Sequence, residues 1–228
     1  MTAPSALAAP PSRSPSPAAA RDAQFWDRLA RKYAADPIAD LAGYERSIAR
    51  CAALLRPEAQ VVELGCGTGT TALKLAPHVA QLTATDLSAE MVRIAEEKRA
   101  AAGLTNLRFF AAEAADPRLP AGGFDAVLAM NLLHLVPDLQ ATLATAHGLL
   151  RPGGLFISKT PCLSDMNPLI RLLLPLMRWV GKAPASVRCF TDAQLQSALQ
   201  DAGFALVAVE RHASKGRDTR PFIVARRA

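Results

Sequence analysis

Apolar positions follow two rhythms along the chain, and the change falls near residue 57. Upstream, Phe25, Trp26, Leu29, Ala30 and Tyr33 recur at helical spacing. This predicts a helix over Asp22–Ala35, because residues three and four apart share one face. A second helix is expected from Ile38 to Leu55, ended by Pro57, whose ring disfavours helical dihedrals in the residue before it. Downstream, short apolar runs alternate with amphipathic stretches. Gln60–Leu64, Gln81–Thr85, Asn106–Phe110, Asp125–Met130 and Gly154–Lys159 read as strands. Thr70–His78, Ser88–Ala102 (with Ser88 as N-cap) and Leu139–Leu150 read as helices between them. Parallel neighbours need crossover helices, so this alternation predicts an α/β fold with a parallel sheet covered on both faces. A Leu-rich helical stretch follows at Pro168–Val180, then a helix at Asp192–Ala202. Two strands near Phe204–Glu210 and Pro221–Arg226 read as a hairpin closing the sheet edge.

Composition narrows the class. Half of the 228 residues are apolar but only 5% are aromatic, which argues against an aromatic-rich all-β sandwich. Residues 1–20 are mostly Ala, Pro and Ser with one charged side chain, Arg13, and are expected to form a disordered leader before a single domain over 21–228. They lack the basic and apolar regions of a signal peptide. The most apolar later stretch, Leu169–Val180, contains Arg171, Pro175 and Arg178 and is too short to span a bilayer. Cys51, Cys66, Cys162 and Cys189 form no CxxC pair, and the four histidines do not fall at zinc-ligand spacing from them. The expectation is a soluble, cytoplasmic protein with reduced thiols and no metal site. Of the net charge of +6, +4 lies between Ala205 and Ala228. That basic segment, with Arg211, His212, Lys215, Arg217 and Arg220, lacks interleaved aromatics and reads as a mostly solvated hairpin, so a nucleic-acid partner is not expected.

Candidate chemistry concentrates in Val61-Val-Glu-Leu-Gly-Cys-Gly-Thr-Gly-Thr-Thr. A buried strand there runs into a turn whose glycines let the backbone approach a ligand, and the next helix offers free N–H groups. Asp86, at the end of the second strand, can accept hydrogen bonds from ribose hydroxyls. Glu63 is an acid inside an apolar strand, a costly placement unless loop amides or a ligand compensate it. The spacing is GxGxG, not the GxGxxG that seats a pyrophosphate, which favours a nucleoside without phosphates.

In these features the chain resembles the class I S-adenosylmethionine-dependent methyltransferases. Glu63-Leu-Gly-Cys-Gly-Thr-Gly is similar to their first motif, and Thr85-Asp86-Leu-Ser-Ala-Glu-Met-Val to the segment carrying the ribose-binding acid. Ala111-Ala-Glu113-Ala114 sits where the adenine-contacting acid lies, with Glu in place of the commoner Asp. Leu119-Pro-Ala-Gly-Gly-Phe-Asp125 through Asn131-Leu-Leu-His134 matches the fourth-strand motif, and Leu150-Arg-Pro-Gly-Gly154 precedes strand five as in the family. The likeness covers about residues 24–160. It implies a doubly wound, mostly parallel seven-stranded Rossmann-like sheet with an antiparallel last strand, N-terminal helices, and a helical lid inserted after strand five, about residues 161–190. It also implies S-adenosyl-L-methionine as cofactor, held by Tyr33, Glu63, Gly65, Cys66, Gly67, Gly69, Asp86, Leu87, Met91, Glu113, Ala114 and the Asn131 backbone.

Methyl transfer from a sulfonium is an in-line displacement that needs alignment and exclusion of water, with optional removal of an acceptor proton. His134 is the candidate base. Met177, Arg178 and Trp179 in the Leu-rich stretch are candidate substrate contacts, in a segment suited to a greasy pocket or a peripheral membrane contact. Thr160-Pro-Cys162 would suit a cysteine nucleophile of the RNA cytosine-5 type, but the companion Pro-Cys after strand four is replaced by Asn131-Leu-Leu-His. The expected function is methyl transfer to a small-molecule or lipid-like acceptor. The alternatives are an NAD(P)-dependent oxidoreductase, disfavoured by the glycine spacing and the lack of a Tyr-x-x-x-Lys pair, and a non-catalytic S-adenosylmethionine-binding regulator.

Overall fold

A computed structural model describes residues 17–166, 168–180 and 183–228. Most of the expected leader therefore lies outside the described residues, and its last part is corrected: 17–20 are helical. Helix α1 runs over Pro17–Ala35, five residues earlier than the apolar spacing marks. Its inner side packs Trp26, Ala30 and Ala34 against Met91 and Ile94. Helix α2, Leu41–Leu54, starts where Asp40 accepts the Gly43 N–H.

Strands β1 (Gln60–Leu64), β2 (Gln81–Asp86), β3 (Leu107–Ala111), β4 (Phe124–Met130), β5 (Leu150–Lys159), β6 (Phe204–Glu210) and β7 (Phe222–Arg227) form one seven-stranded sheet in the order β3-β2-β1-β4-β5-β7-β6. All neighbouring pairs from β3 to β5 are parallel. Strand β7 is antiparallel to both of its neighbours. The closing pair is thus as expected, but β7 inserts between β5 and β6 and leaves β6 as the edge. β5 also begins four residues earlier than expected, with Leu150 paired to Phe124 and a register shift before Ala126.

Side chains alternate across the sheet and feed two separate cores. Val61, Ala84, Leu128, Ile157 and Phe222 pack toward α2, α3 (Thr70–Leu75) and α4 (Ala89–Ala101). Val62, Leu64, Val127, Phe156 and Ile223 pack toward α5 (Leu139–Leu149) and α8 (Asp192–Asp201). Strands buried on both faces have to be continuously apolar, so Glu63, only 1% exposed in the middle of β1, stands out. Between β5 and α8 the chain adds α6 (Leu163–Met166) and α7 (Pro168–Trp179). No helix among the described residues is long and apolar enough to cross a membrane.

Candidate active site

The carboxyl ends of β1, β2, β4 and β5 meet beneath α1, where parallel α/β sheets hold their ligands. The β1–α3 turn is built from three glycines with φ of 67°, 54° and 76° at Gly65, Gly67 and Gly69. A Cβ on Gly65 would lie 2.5 Å from Leu132 Cδ1, and one on Gly69 2.7 Å from Phe109 Cζ, so these two glycines are required by packing. A Cβ on Gly67 would meet only Tyr33 Cε1, at 3.7 Å. The middle glycine therefore borders open space roofed by the α1 tyrosine, which leaves its backbone free for a ligand.

Asp86, at the end of β2, ties the turn down. Its Oδ2 accepts the Gly67 N–H at 2.8 Å and its Oδ1 the Ser88 N–H at 2.9 Å. Burial pushes its carboxyl pKa up while these two amides pull against that shift. Glu63, beneath the turn, is less well satisfied: its Oε2 is buried with no partner among the described residues. Burial, reinforced by the Asp86 charge, pushes its carboxyl up to about 8, with backbone hydrogen bonding from Ala72 opposing. A native fold rarely leaves a buried carboxyl oxygen unpaired. One positioned under an open glycine turn is suited to a cationic or hydrogen-donating ligand. The Cys66 thiol is buried in the same turn, and burial, with Asp86 and Glu63 nearby, raises its pKa well above the ordinary thiol value.

The other sequence-nominated positions fall around this cradle. Leu87 is partly buried beside Asp86. The Met91 side chain packs in the α1–α4 seam, while its N–H donates to Ser88 Oγ. Ala112 N–H donates to the Asp86 carbonyl, which brings the partly buried Glu113 and Ala114 next to the end of β2. Asn131 has φ of 54°, the only positive value outside glycine among the described residues. Its N–H donates to the Lys159 carbonyl at 2.7 Å, so a strained residue caps β4 at the site, as such residues tend to.

His134 sits in a 3-10 turn, Leu133–Leu135. Its Nδ1 is buried and without a partner among the described residues. Burial, then the positive charge of Arg220, lowers its pKa to about 4, so at neutral pH the ring is uncharged, the form a base requires. Tyr33, half exposed, has its pKa raised by burial and by Asp86 and Glu63, with Arg220 opposing.

The segment after α7 straps the histidine turn. Arg188 N–H donates to the His134 carbonyl at 2.7 Å, Ser186 Oγ to the Leu135 carbonyl at 2.5 Å, and Ala185 N–H to Asp22 Oδ1 of α1 at 2.9 Å. The nominated substrate contacts lie on α7, which the strap follows. Trp179 is 84% exposed, Met177 is exposed beside it, and the Arg178 guanidinium donates to the Val187 carbonyl. In the basic terminal segment Arg211, Lys215, Arg217 and Arg220 are exposed, as expected of a mostly solvated stretch, and His212 is the exception. His212 is buried, Ser47 Oγ and its Nδ1 share a hydrogen bond of 2.9 Å, and Arg211 pairs with Asp192. Sequence reading also passed over Asp27, whose Oδ1 accepts from Ser88 Oγ at 2.6 Å and so fastens α1 to the start of α4. Neither Asp27 nor Arg188 lies in a motif, so nothing local signals its role.

Residues 26–209 match the family described as a methyltransferase domain. The chain is 38% identical over 110 residues to the trans-aconitate 2-methyltransferase of Deinococcus radiodurans, covering 48% of this chain and 41% of that protein. It is 35% identical over 137 residues to the nocamycin O-methyltransferase of Saccharothrix syringae, covering 57% and 47%. The match thus spans less than half the length of these curated relatives. Among solved structures, the magnesium protoporphyrin IX methyltransferase of Synechocystis PCC 6803 with bound SAH superposes with a TM-score of 0.66 at 20% identity, covering 91% of this chain and 95% of that one. With the family match running over most of the chain and through every element of the cradle, this protein belongs to the class I S-adenosylmethionine-dependent methyltransferases.

Proposed function

We propose that the protein transfers a methyl group from S-adenosylmethionine to a small organic acceptor. The observation that carries this reading is the unpaired, buried Glu63 oxygen beneath the open Gly67 turn. It fits a ligand that brings a positive charge or donors of its own to that spot. Asp86 and the Gly65–Gly69 backbone would hold the nucleoside, with Tyr33 as a roof and Glu113, Ala114 and Leu87 at the base. Bound there, the cofactor supplies an activated methyl group on a sulfonium. The chain's own share of the work is to align the acceptor, exclude water and take up a proton. His134 Nδ1 is the group suited to the last task, because it is uncharged at neutral pH and has no competing partner among the described residues. The named activities of the trans-aconitate and nocamycin relatives support a small acceptor over a macromolecular one.

Titration calorimetry tests the reading. S-adenosylhomocysteine is expected to bind tightly and NAD not at all, and the reverse pattern would sink the proposal. Incubation with methyl-labelled S-adenosylmethionine and a small-molecule cell extract is expected to label an acceptor. His134→Gln is expected to slow that labelling by about 100-fold while leaving S-adenosylhomocysteine affinity unchanged. Unaltered turnover across pH 6 to 9 would remove His134 from the mechanism.

A further inference from the structure

Four consecutive backbone carbonyls in and after the histidine turn accept hydrogen bonds from two residues of one short segment. Arg188 N–H donates to the His134 carbonyl at 2.7 Å, and Ser186 Oγ donates to the Leu135 carbonyl at 2.5 Å. The Arg188 guanidinium takes the next two. Its Nε donates to the Val136 carbonyl at 3.1 Å and its Nη2 to the Pro137 carbonyl. A planar fork of donors suits neighbouring carbonyls that a single-point ammonium could not hold together.

The clamp is itself fixed at several points. Val187 is buried, and its carbonyl accepts from the Arg178 guanidinium of α7. Ala185 N–H donates to Asp22 Oδ1 of α1 at 2.9 Å. Phe190, two residues after Arg188, belongs to the same core as Leu133, and its carbonyl accepts from Ser164 N–H at 3.3 Å. Residues 185–188 therefore join α1, the insertion and the histidine turn.

His134 depends on such support. A catalytic base is ordinarily oriented by a third group that hydrogen-bonds to it. Here Nδ1 is buried without a partner, and no described residue hydrogen-bonds to the imidazole. The position of the ring is thus set through its backbone, between Leu133, which is fully buried, and the clamped carbonyls.

We propose that Arg188 is a positioning residue for methyl transfer: its guanidinium clamps the Val136 and Pro137 carbonyls and so aims the His134 imidazole at the acceptor. This rests on the reading of His134 as the base given above. Arg188 acts through His134 and touches neither cofactor nor acceptor.

The test uses the full chain with Arg188→Ala, Arg188→Lys, His134→Gln and the double variant His134→Gln/Arg188→Ala. Each is assayed with methyl-labelled S-adenosylmethionine and a small-molecule cell extract, and its S-adenosylhomocysteine affinity and melting temperature are recorded. Arg188→Ala is expected to lower the maximal labelling rate about tenfold, because a small displacement of a reacting group is costly in rate. The half-saturating amount of extract and the S-adenosylhomocysteine affinity should stay within about twofold, since binding is untouched. Arg188→Lys should recover part of the loss. In the His134→Gln background, Arg188→Ala should cost no more than about twofold, because the two residues act as one unit. Isotope-labelled histidine gives a readout that needs no acceptor. With the His134 signal identified by its absence in His134→Gln, Arg188→Ala is expected to shift or broaden that signal and leave those of His78, His147 and His212 in place.

A wild-type rate in Arg188→Ala, equal losses in both backgrounds, or an unmoved His134 signal would overturn the proposal. Should Arg188→Ala unfold, Arg188→Lys carries the same comparisons with a smaller expected loss. A wild-type rate in His134→Gln would overturn the base assignment, and the proposal with it. A wild type that fails to bind S-adenosylhomocysteine, or labels nothing in the extract, would instead overturn the methyltransferase reading itself.

Discussion

The glycine turn after β1 and the helical insertion after β5 rise from the same end of one sheet, yet they are held in opposite ways. In the turn, Gly65 and Gly69 are closed in by Leu132, Phe109 and Ala95, and Asp86 fastens the Gly67 amide. In the insertion, α7 buries Leu174 but turns Leu169, Leu172, Leu173, Leu176 and Trp179 outward, with Leu172 76% exposed. The difference teaches that close packing is concentrated in the glycine turn at the carboxyl ends of the strands. The insertion is built from few contacts, and a short strap after it, residues 185–188, is tied to α1 and the His134 turn. Preorganisation is worth most where the same ligand geometry recurs in every turnover.

The sharpest way to break this contrast is to titrate the rigid half. The Glu63 carboxyl is raised from 4.5 to about 8, so between those values the folded state holds a proton that the unfolded state has released. Stability of the cofactor-free protein should therefore fall as pH rises from about 5 to 8, by roughly 4 kcal/mol. Denaturant melts of the wild type and Glu63→Gln over that range check this; the variant should be nearly flat. Parallel slopes would show that Glu63 is already compensated.

A somewhat smaller effect is expected from Asp86→Ala. It removes the acceptor for the Gly67 and Ser88 amides as well as the proposed ribose contact, and S-adenosylhomocysteine affinity should drop about 100-fold, close to 3 kcal/mol. Calorimetry on a variant whose melting temperature is also recorded separates lost contact from lost fold, and wild-type affinity would refute the assignment. The smallest effect should come from the open half. Leu172→Ser and Trp179→Ser remove side chains that are already in water, so stability should change by no more than about 0.5 kcal/mol and cofactor affinity should not change. A larger loss of stability would mean that α7 is covered in solution.

Much of the sheet was legible because burial on two faces forces apolar runs, and turns force glycine, proline and capping residues. Ser88 accepting the Met91 N–H at 3.1 Å follows directly from its place before an amphipathic run. The closing strands were recognisable as a pair, but their order was not, since β7 inserting between β5 and β6 depends on long-range pairing. Residues 17–20 were misread because their Ala and Pro content lacks a periodic stripe; Ala19 is nonetheless buried. The cradle was nominated almost whole, since its residues cluster in motifs at strand ends. Asp27 and Arg188 were not placed there, because each comes from a stretch of chain with no local pattern to mark it.

By itself, then, the order of residues determined the alternation of strands and helices, the glycine turn and the acids flanking it. These are consequences of side-chain period and backbone freedom, which act over a few residues. Only the tertiary structure decided that Glu63 keeps an oxygen unpaired among the described residues and that His134 is held uncharged. Those properties arise from desolvation and from charges brought together across more than 80 residues of chain, as Arg220 and His134 are. Local pattern carries no record of either.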